Sequence, residues 1–300
     1  MTAAPRPLIP LQTDLLRGVA YMLGAAVLFS MMNALVKLLS VEFSTPQIIW
    51  SRNIGHLVFV AALFTPRLGL RLYVSGQPKV QIFRSLCQLC STSCYFTALA
   101  YIPLTEAASI SFTAPLIVTA LSVPLLGEAV GWRRWAAVAV GFLGVLIVIR
   151  PGAGLAHWAA LLCLVSAFCY ALYQILTRRA ASFDRPETTV LYSAVVGTCV
   201  LSVVAPFHWS WPTDTGGAIM LASLGAFGGL GHYFVAKAFR FGPAALISPF
   251  NYAQLLGAAG LGYLVFDHLP DGWTWLGVAV IVASGLYIAG REARRSRQSR

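Results

Sequence analysis

Residues 95–115 read YFTALAYIPLTEAASISFTAP, and residues 233–250 read YFVAKAFRFGPAALISPF. At a spacing of 138, Tyr95-Phe96, Ala98, Ala100, Ala107 and Phe112 return as Tyr233-Phe234, Ala236, Ala238, Ala245 and Phe250. Gly131-Trp132 and Gly144 return at 141 as Gly272-Trp273 and Gly285, and Pro46 returns at 140 as Pro186. The chain therefore holds two copies of one unit. Each copy carries five apolar segments, and an odd number turns the second copy upside down in a membrane relative to the first. Inverted repeats are a recurring plan of secondary transporters, with the binding site near the midplane between the halves.

The segments lie near 16–39, 46–65, 82–102, 104–126, 132–149, 157–178, 187–206, 216–239, 243–265 and 273–290. Each is long enough to cross a hydrocarbon core of ~30 Å as a helix. The expected fold is thus an all-α membrane protein with ten transmembrane helices as two inverted five-helix repeats. Residues 1–15 form an N-terminal segment, 16–150 and 157–290 the repeats, and 291–300 a basic tail. The first segment is too long for a signal-peptide core and is expected to remain in the mature protein. Pro46, Pro103, Pro186 and Pro243 stand at segment starts, where a missing amide donor is tolerated. Pro115 and Pro249 lie inside segments four and nine, which should be irregular.

Only 10% of the 300 residues are charged, and mean hydropathy is +0.75. The net charge of +11 is spread over short connectors and the tail without a recognition motif, which argues against nucleic acid. Lys and Arg gather on alternate connectors: Arg67, Arg71, Lys79 and Arg84; Arg133 and Arg134; Arg178, Arg179 and Arg185; Lys237 and Arg240; and the tail from Arg291. That asymmetry places both termini in the cytoplasm of a bacterial-type inner membrane, with the tail facing anionic lipid.

Polar residues recur at spacings of three and four within two apolar segments, which sets them on one side of each helix. Segment three presents Arg84, Gln88, Ser91, Thr92 and Tyr95. Segment six presents Ser166, Tyr170, Tyr173, Gln174 and Thr177, and segment nine adds Ser248, Asn251 and Tyr252. Segment two carries Trp50, Arg52, Asn53 and His56. Hydroxyls, amides and a guanidinium inside a bilayer need partners, so these side chains should face other helices or a wet cavity. The residues expected to contact a small-molecule substrate are Trp50, Arg52, His56, Gln88, Ser91, Tyr95, Tyr170, Tyr173, Asn251 and Tyr252. Arg52 offers a planar fork of donors to a carboxylate.

No Asp or Glu falls near the centre of a segment, which argues against a carboxylate proton relay. The chain has no GxxxxGK[ST] sequence for an ATP motor, and no constellation for an enzyme, a metal or a cofactor. The six cysteines read as small packing residues. Gly225, Gly228, Gly229 and Gly231, with Gly257, Gly260 and Gly262, allow close or sliding helix contacts. Segments five and ten lack polar stripes and suit a scaffold or a homodimer face.

The helix-end motifs carry a family resemblance. The first repeat reads Thr113-Ala114-Pro115-Leu116, then Leu126-Gly127-Glu128, then Ile149-Arg150-Pro151-Gly152, and the second has Ser248-Pro249-Phe250-Asn251 and Phe266-Asp267. With ten segments and two repeats, the chain resembles the EamA-type branch of the drug/metabolite transporter superfamily over nearly its whole length. That resemblance implies alternating access and a cargo of amino acids or related metabolites, as in aromatic-selective exporters of the YddG type. Neighbouring branches imply the alternative, an importer of a vitamin or nucleoside-like metabolite.

Overall fold

The computed structural model describes residues 14–126, 131–149, 158–242 and 247–298. Glu128, Arg150, Pro151, Gly152, Pro243 and Ala245 lie outside them. Among the described residues the chain is helical with no strand. The helices are α1 Leu15–Leu39, α2 Thr45–Leu68, α3 Pro78–Leu99, α4 Leu104–Ser111, α5 Ala114–Leu126, α6 Trp132–Ile149, α7 Trp158–Ala180, α8 Pro186–Val204, α9 Thr215–Phe241, α10 Ala253–Phe266 and α11 Gly272–Gln298. Six helical stretches are long and apolar enough to cross a membrane, and shorter apolar helices accompany them.

Local chemistry sets the ends. Asp14, Ser44 and Asp214 each accept a hydrogen bond from a backbone N–H in the first turn of α1, α2 and α9, as N-caps do. Asp267 ends α10 at φ +51°, a left-handed position usually taken by Gly or Asn. The unusual Asp of the Phe266-Asp267 motif is therefore a helix stop.

Segment four is two helices, broken at Phe112 and Thr113. Pro115 has no N–H for the carbonyl of Ser111, and its ring crowds that carbonyl, so the helix restarts. In segment nine Pro249 stands at the start of the 3-10 turn Ser248–Tyr252, which precedes α10. Both irregular stretches reach the middle of the bundle, where non-helical backbone is tolerated only inside protein or beside a cavity.

Packing follows the repeat. α1 packs chiefly on α9 and α3 on α7, while α1 also meets α10 and α7 also meets α5. Exchanging the first five segments with the second five maps each pairing onto another. α6 and α11, from segments five and ten, pack against each other at the periphery. The tightest approach joins α2 to α9: a Cβ on Gly225 would collide with the backbone of Gly55 and His56. Gly225→Val is expected to lower stability by about 3 kcal/mol, because backbone cannot yield as a side chain does. Thermal melting in detergent checks this, and an unchanged midpoint would show that the contact gives way.

Candidate functional site

The polar stripe of α3 turns inward. Gln81, Arg84, Ser85, Gln88 and Ser91 are all buried. α3 begins at Pro78, about one turn before the apolar pattern starts, so Arg84 sits inside the bundle and not in a connector. This register corrects the count of Arg84 among the connector charges and agrees with its place in the polar stripe of segment three.

Arg84 is 0% exposed, and neutral groups surround it. Its Nε donates to Gln81 Oε1 at 3.2 Å and Nη1 to Thr177 Oγ1 at 3.2 Å, while Nη2 donates to the Thr189 carbonyl and Ser193 Oγ. The guanidinium also lies 5.0 Å from the centre of the Tyr173 ring. Gln81 passes the charge on, since its Nε2 donates at 2.8 Å to Asp184, a buried carboxylate between α7 and α8. Asp184 accepts as well from Ser75 Oγ at 2.6 Å and the Gly76 N–H at 2.8 Å. This hub ties α3, α7 and α8 together at the end carrying most of the basic connectors. Asp184→Ala is expected to lower stability by at least about 2 kcal/mol, since it leaves three donors without their acceptor. A melting curve matching the unsubstituted chain would contradict that role.

Arg52, 2% exposed, has a different environment. Its Nη2 donates to His232 Nε2 at 2.6 Å, and among the described residues its Nε has no partner and it makes no ion pair. Arginine only donates, so His232 Nε2 accepts and Nδ1 carries the proton, which it donates to the Tyr173 hydroxyl at 3.1 Å. A chain of four groups therefore runs Arg52, His232, Tyr173, Arg84. It holds two cations and no carboxylate. The His56 ring stacks on His232 at 6.1 Å, fully buried and with neither nitrogen bonded.

Arg52 and His232 face a cavity between α1, α3, α4, α7 and α10, with an empty volume of about 880 Å³ that includes its solvent-open part. Phe29, Tyr95, Phe96, Phe112 and Tyr170 give it aromatic walls. The side-chain amides of Asn33, Gln88, Gln174, Asn251 and Gln254 line it too, with the hydroxyls of Ser91 and Ser166. No carboxylate lines it among the described residues. Residues from Leu104, at the start of α4, to Gln174, past the middle of α7, share this wall, so the cavity runs from the bundle centre toward the end with few basic residues.

Of the residues expected to contact substrate, Arg52, Gln88, Ser91, Tyr95, Tyr170 and Asn251 meet at this cavity. Trp50 lies apart, donating from its indole N–H to Ser202 Oγ at 2.9 Å and meeting Trp209 edge-on. His56 and Tyr173 stand against His232 rather than along the wall. Tyr252 is buried edge-on against Phe112. Lys37, near the end of α1, donates to the carbonyls of Leu99 and Ile102 at 2.9 Å and so caps the end of α3.

Sequence reasoning missed His232 as a partner of Arg52, Gln174 as a wall residue and Asp184 as a hub. Gln174 was marked by its place in the α7 stripe, and His232 by lying deep in an apolar segment.

Comparison with known proteins gives a family profile, described as EamA-like transporter family, matching residues 16–150 and again 157–290. A riboflavin transporter of Vibrio cholerae is 30% identical over 292 residues, covering 95% of this chain and 97% of the relative. An S-adenosylmethionine uptake transporter of Rickettsia prowazekii is 25% identical over 279 residues, 93% of this chain and 94% of the relative. The pseudopaline exporter CntI of Pseudomonas aeruginosa is 29% identical over 277 residues, 90% and 95%. One solved crystal structure superposes at a TM-score of 0.68 with 22% identity, over 92% of this chain and 98% of its own.

Proposed function

We infer the cargo from a premise now in place: this chain belongs to the EamA-like transporter family and is a membrane-embedded small-molecule transporter. Our reading is a carrier for a flat heteroaromatic metabolite of the vitamin or nucleoside-like class, with riboflavin as the first cargo to test and uptake as the direction. The observation that carries it is Arg52, a buried cation with no counter-ion among the described residues, facing an aromatic cavity lined by amides. Aromatic walls stack on planar rings. A guanidinium with a free Nε seeks a carbonyl or an anionic oxygen.

Charge separates the cargoes that the relatives' names raise. S-adenosylmethionine could give Arg52 its carboxylate, but its sulfonium and ammonium would meet no carboxylate in the described wall, and a like charge 4 Å from Arg52 is repelled by about 4 kcal/mol at an effective dielectric of 20. Export of amino acids is the second reading: Arg52 suits the carboxylate, but the ammonium would find amide and hydroxyl oxygens and aromatic faces in the described wall, and no carboxylate. An uncharged ring bearing carbonyls meets neither difficulty.

Within this reading Arg52, Gln88, Ser91, Tyr95, Tyr170 and Asn251 touch the cargo, and His56, Tyr173 and Tyr252 hold the wall behind them. The ten segments act as two inverted five-helix repeats with both termini cytoplasmic, supported by the exchangeable helix pairings and the basic connectors. Alternating access then exposes the cavity to each side in turn. The test is uptake of labelled riboflavin into proteoliposomes against excess unlabelled competitors. Lumiflavin and riboflavin are expected to compete, and S-adenosylmethionine, phenylalanine and tryptophan are not. Uptake of an amino acid or of S-adenosylmethionine with none of riboflavin would overturn this reading.

A further inference from the structure

Residues of the cavity wall carry polar atoms that the protein itself leaves unbonded and that are closed to water in this conformation. Gln174 is 0% exposed, and neither its Oε1 nor its Nε2 has a partner. Gln88 Oε1, Asn251 Nδ2 and Arg52 Nε are equally buried and equally unpartnered. All four residues line the cavity. Leaving one such group unsatisfied costs roughly 1–3 kcal/mol. Side chains that only packed two helices would be bonded across the interface or replaced by apolar ones.

Their neighbours show that this interface can form such bonds. Ser91 and Ser166 hydrogen-bond at 3.0 Å between α3 and α7, and Arg84 reaches Thr177 at 3.2 Å further along. Gln88 and Gln174 lie between these two latches, on helices whose backbones are held in register. The unbonded set on the described wall comprises the donors Gln174 Nε2, Asn251 Nδ2 and Arg52 Nε, the acceptors Gln174 Oε1 and Gln88 Oε1, and the hydroxyls of Ser111 and Tyr170, which can do either.

We propose that these amides read a cyclic imide edge, in which a ring N–H lies between two carbonyls, and that Gln174 is the residue that determines specificity. A carboxamide offers one donor beside one acceptor. Gln174 therefore donates from Nε2 to one ring carbonyl and accepts the ring N–H at Oε1. The second carbonyl takes a donor from Arg52 or Asn251. This rests on the cargo reading above and narrows it, because flavins carry an imide edge whereas S-adenosylmethionine and amino acids have none.

The test is equilibrium binding of riboflavin and of its N3-methyl analogue to the purified full chain in lipid nanodiscs, read by flavin fluorescence polarisation. The wild-type chain is expected to bind riboflavin about 10- to 100-fold more tightly, because the methyl group removes the donor and leaves Oε1 unpaired. In Gln174→Leu, riboflavin affinity is expected to fall to that of the analogue, while the melting temperature stays the same or rises. Loss of a structural residue would move both readouts downward. Equal wild-type affinity for the two flavins would overturn the imide assignment and leave the cargo reading standing. Discrimination that persists in Gln174→Leu would overturn the role of Gln174. Binding of neither flavin by folded protein would overturn the cargo reading and this inference with it.

Discussion

Arg84→Ala is expected to deplete folded protein more than any other single substitution in the described bundle. The change removes donors from Gln81, Thr177, the Thr189 carbonyl and Ser193 at once, and none of these groups lies near water. Gln81 Oε1 loses its donor, while Thr177 and Ser193 keep hydrogen bonds to the Tyr173 and Thr189 carbonyls; with each bond to the charged group worth roughly 1.5–3 kcal/mol, relaxation still leaves a loss on the order of 4 kcal/mol. Arg84→Lys should recover little, since an ammonium is a compact point charge that cannot reach four acceptors spread over α3, α7 and α8. The measurement is the melting midpoint and the monodisperse fraction in detergent. An Arg84→Ala chain that melts normally but transports poorly would move Arg84 from the scaffold to the cargo path.

Arg52→Met is expected to do the reverse. Transport should fall at least about 100-fold, the scale on which a buried charge-assisted hydrogen bond to a ligand is lost. Stability should hold or rise. Among the described residues the guanidinium has one hydrogen-bond partner, His232 Nε2, and keeping a charge without a counter-ion out of water costs several kcal/mol. Methionine fills a similar volume beside Phe96 without that cost, and only the imidazole nitrogen is left to find a new donor. Normal transport by Arg52→Met would show that the charge serves the helix contact with α9 rather than the cargo.

These two arginines show where sequence reading succeeds and where it stops. The apolar periods locate the helical stretches, and two prolines mark the spans that break, because both effects are local. The stripes of α3 and α7 point at the cavity because spacing of three and four fixes one face of a helix. Arg84 looks like a connector charge because it lies near the start of an apolar run. Its burial depends on α3 beginning at Pro78 and on acceptors from α7 and α8. Arg52 and His232 are 180 residues apart, so no local pattern announces their contact. Asp184 reads as an ordinary connector acid until three donors from the turn before α3 and from α3 itself converge on it. Trp50 and Tyr252 share the composition of a binding site, but packing directs them to Trp209 and to Phe112.

The most direct test of the central claim, a carrier whose cavity takes flavin at Arg52, is counterflow. Proteoliposomes holding the wild-type chain are preloaded with excess unlabelled riboflavin, and entry of labelled riboflavin is followed against empty-loaded and protein-free vesicles. The account predicts a transient accumulation above equilibrium that needs the internal load and is absent with Arg52→Met. Entry that ignores the internal load, or equal counterflow by the two chains, would contradict it.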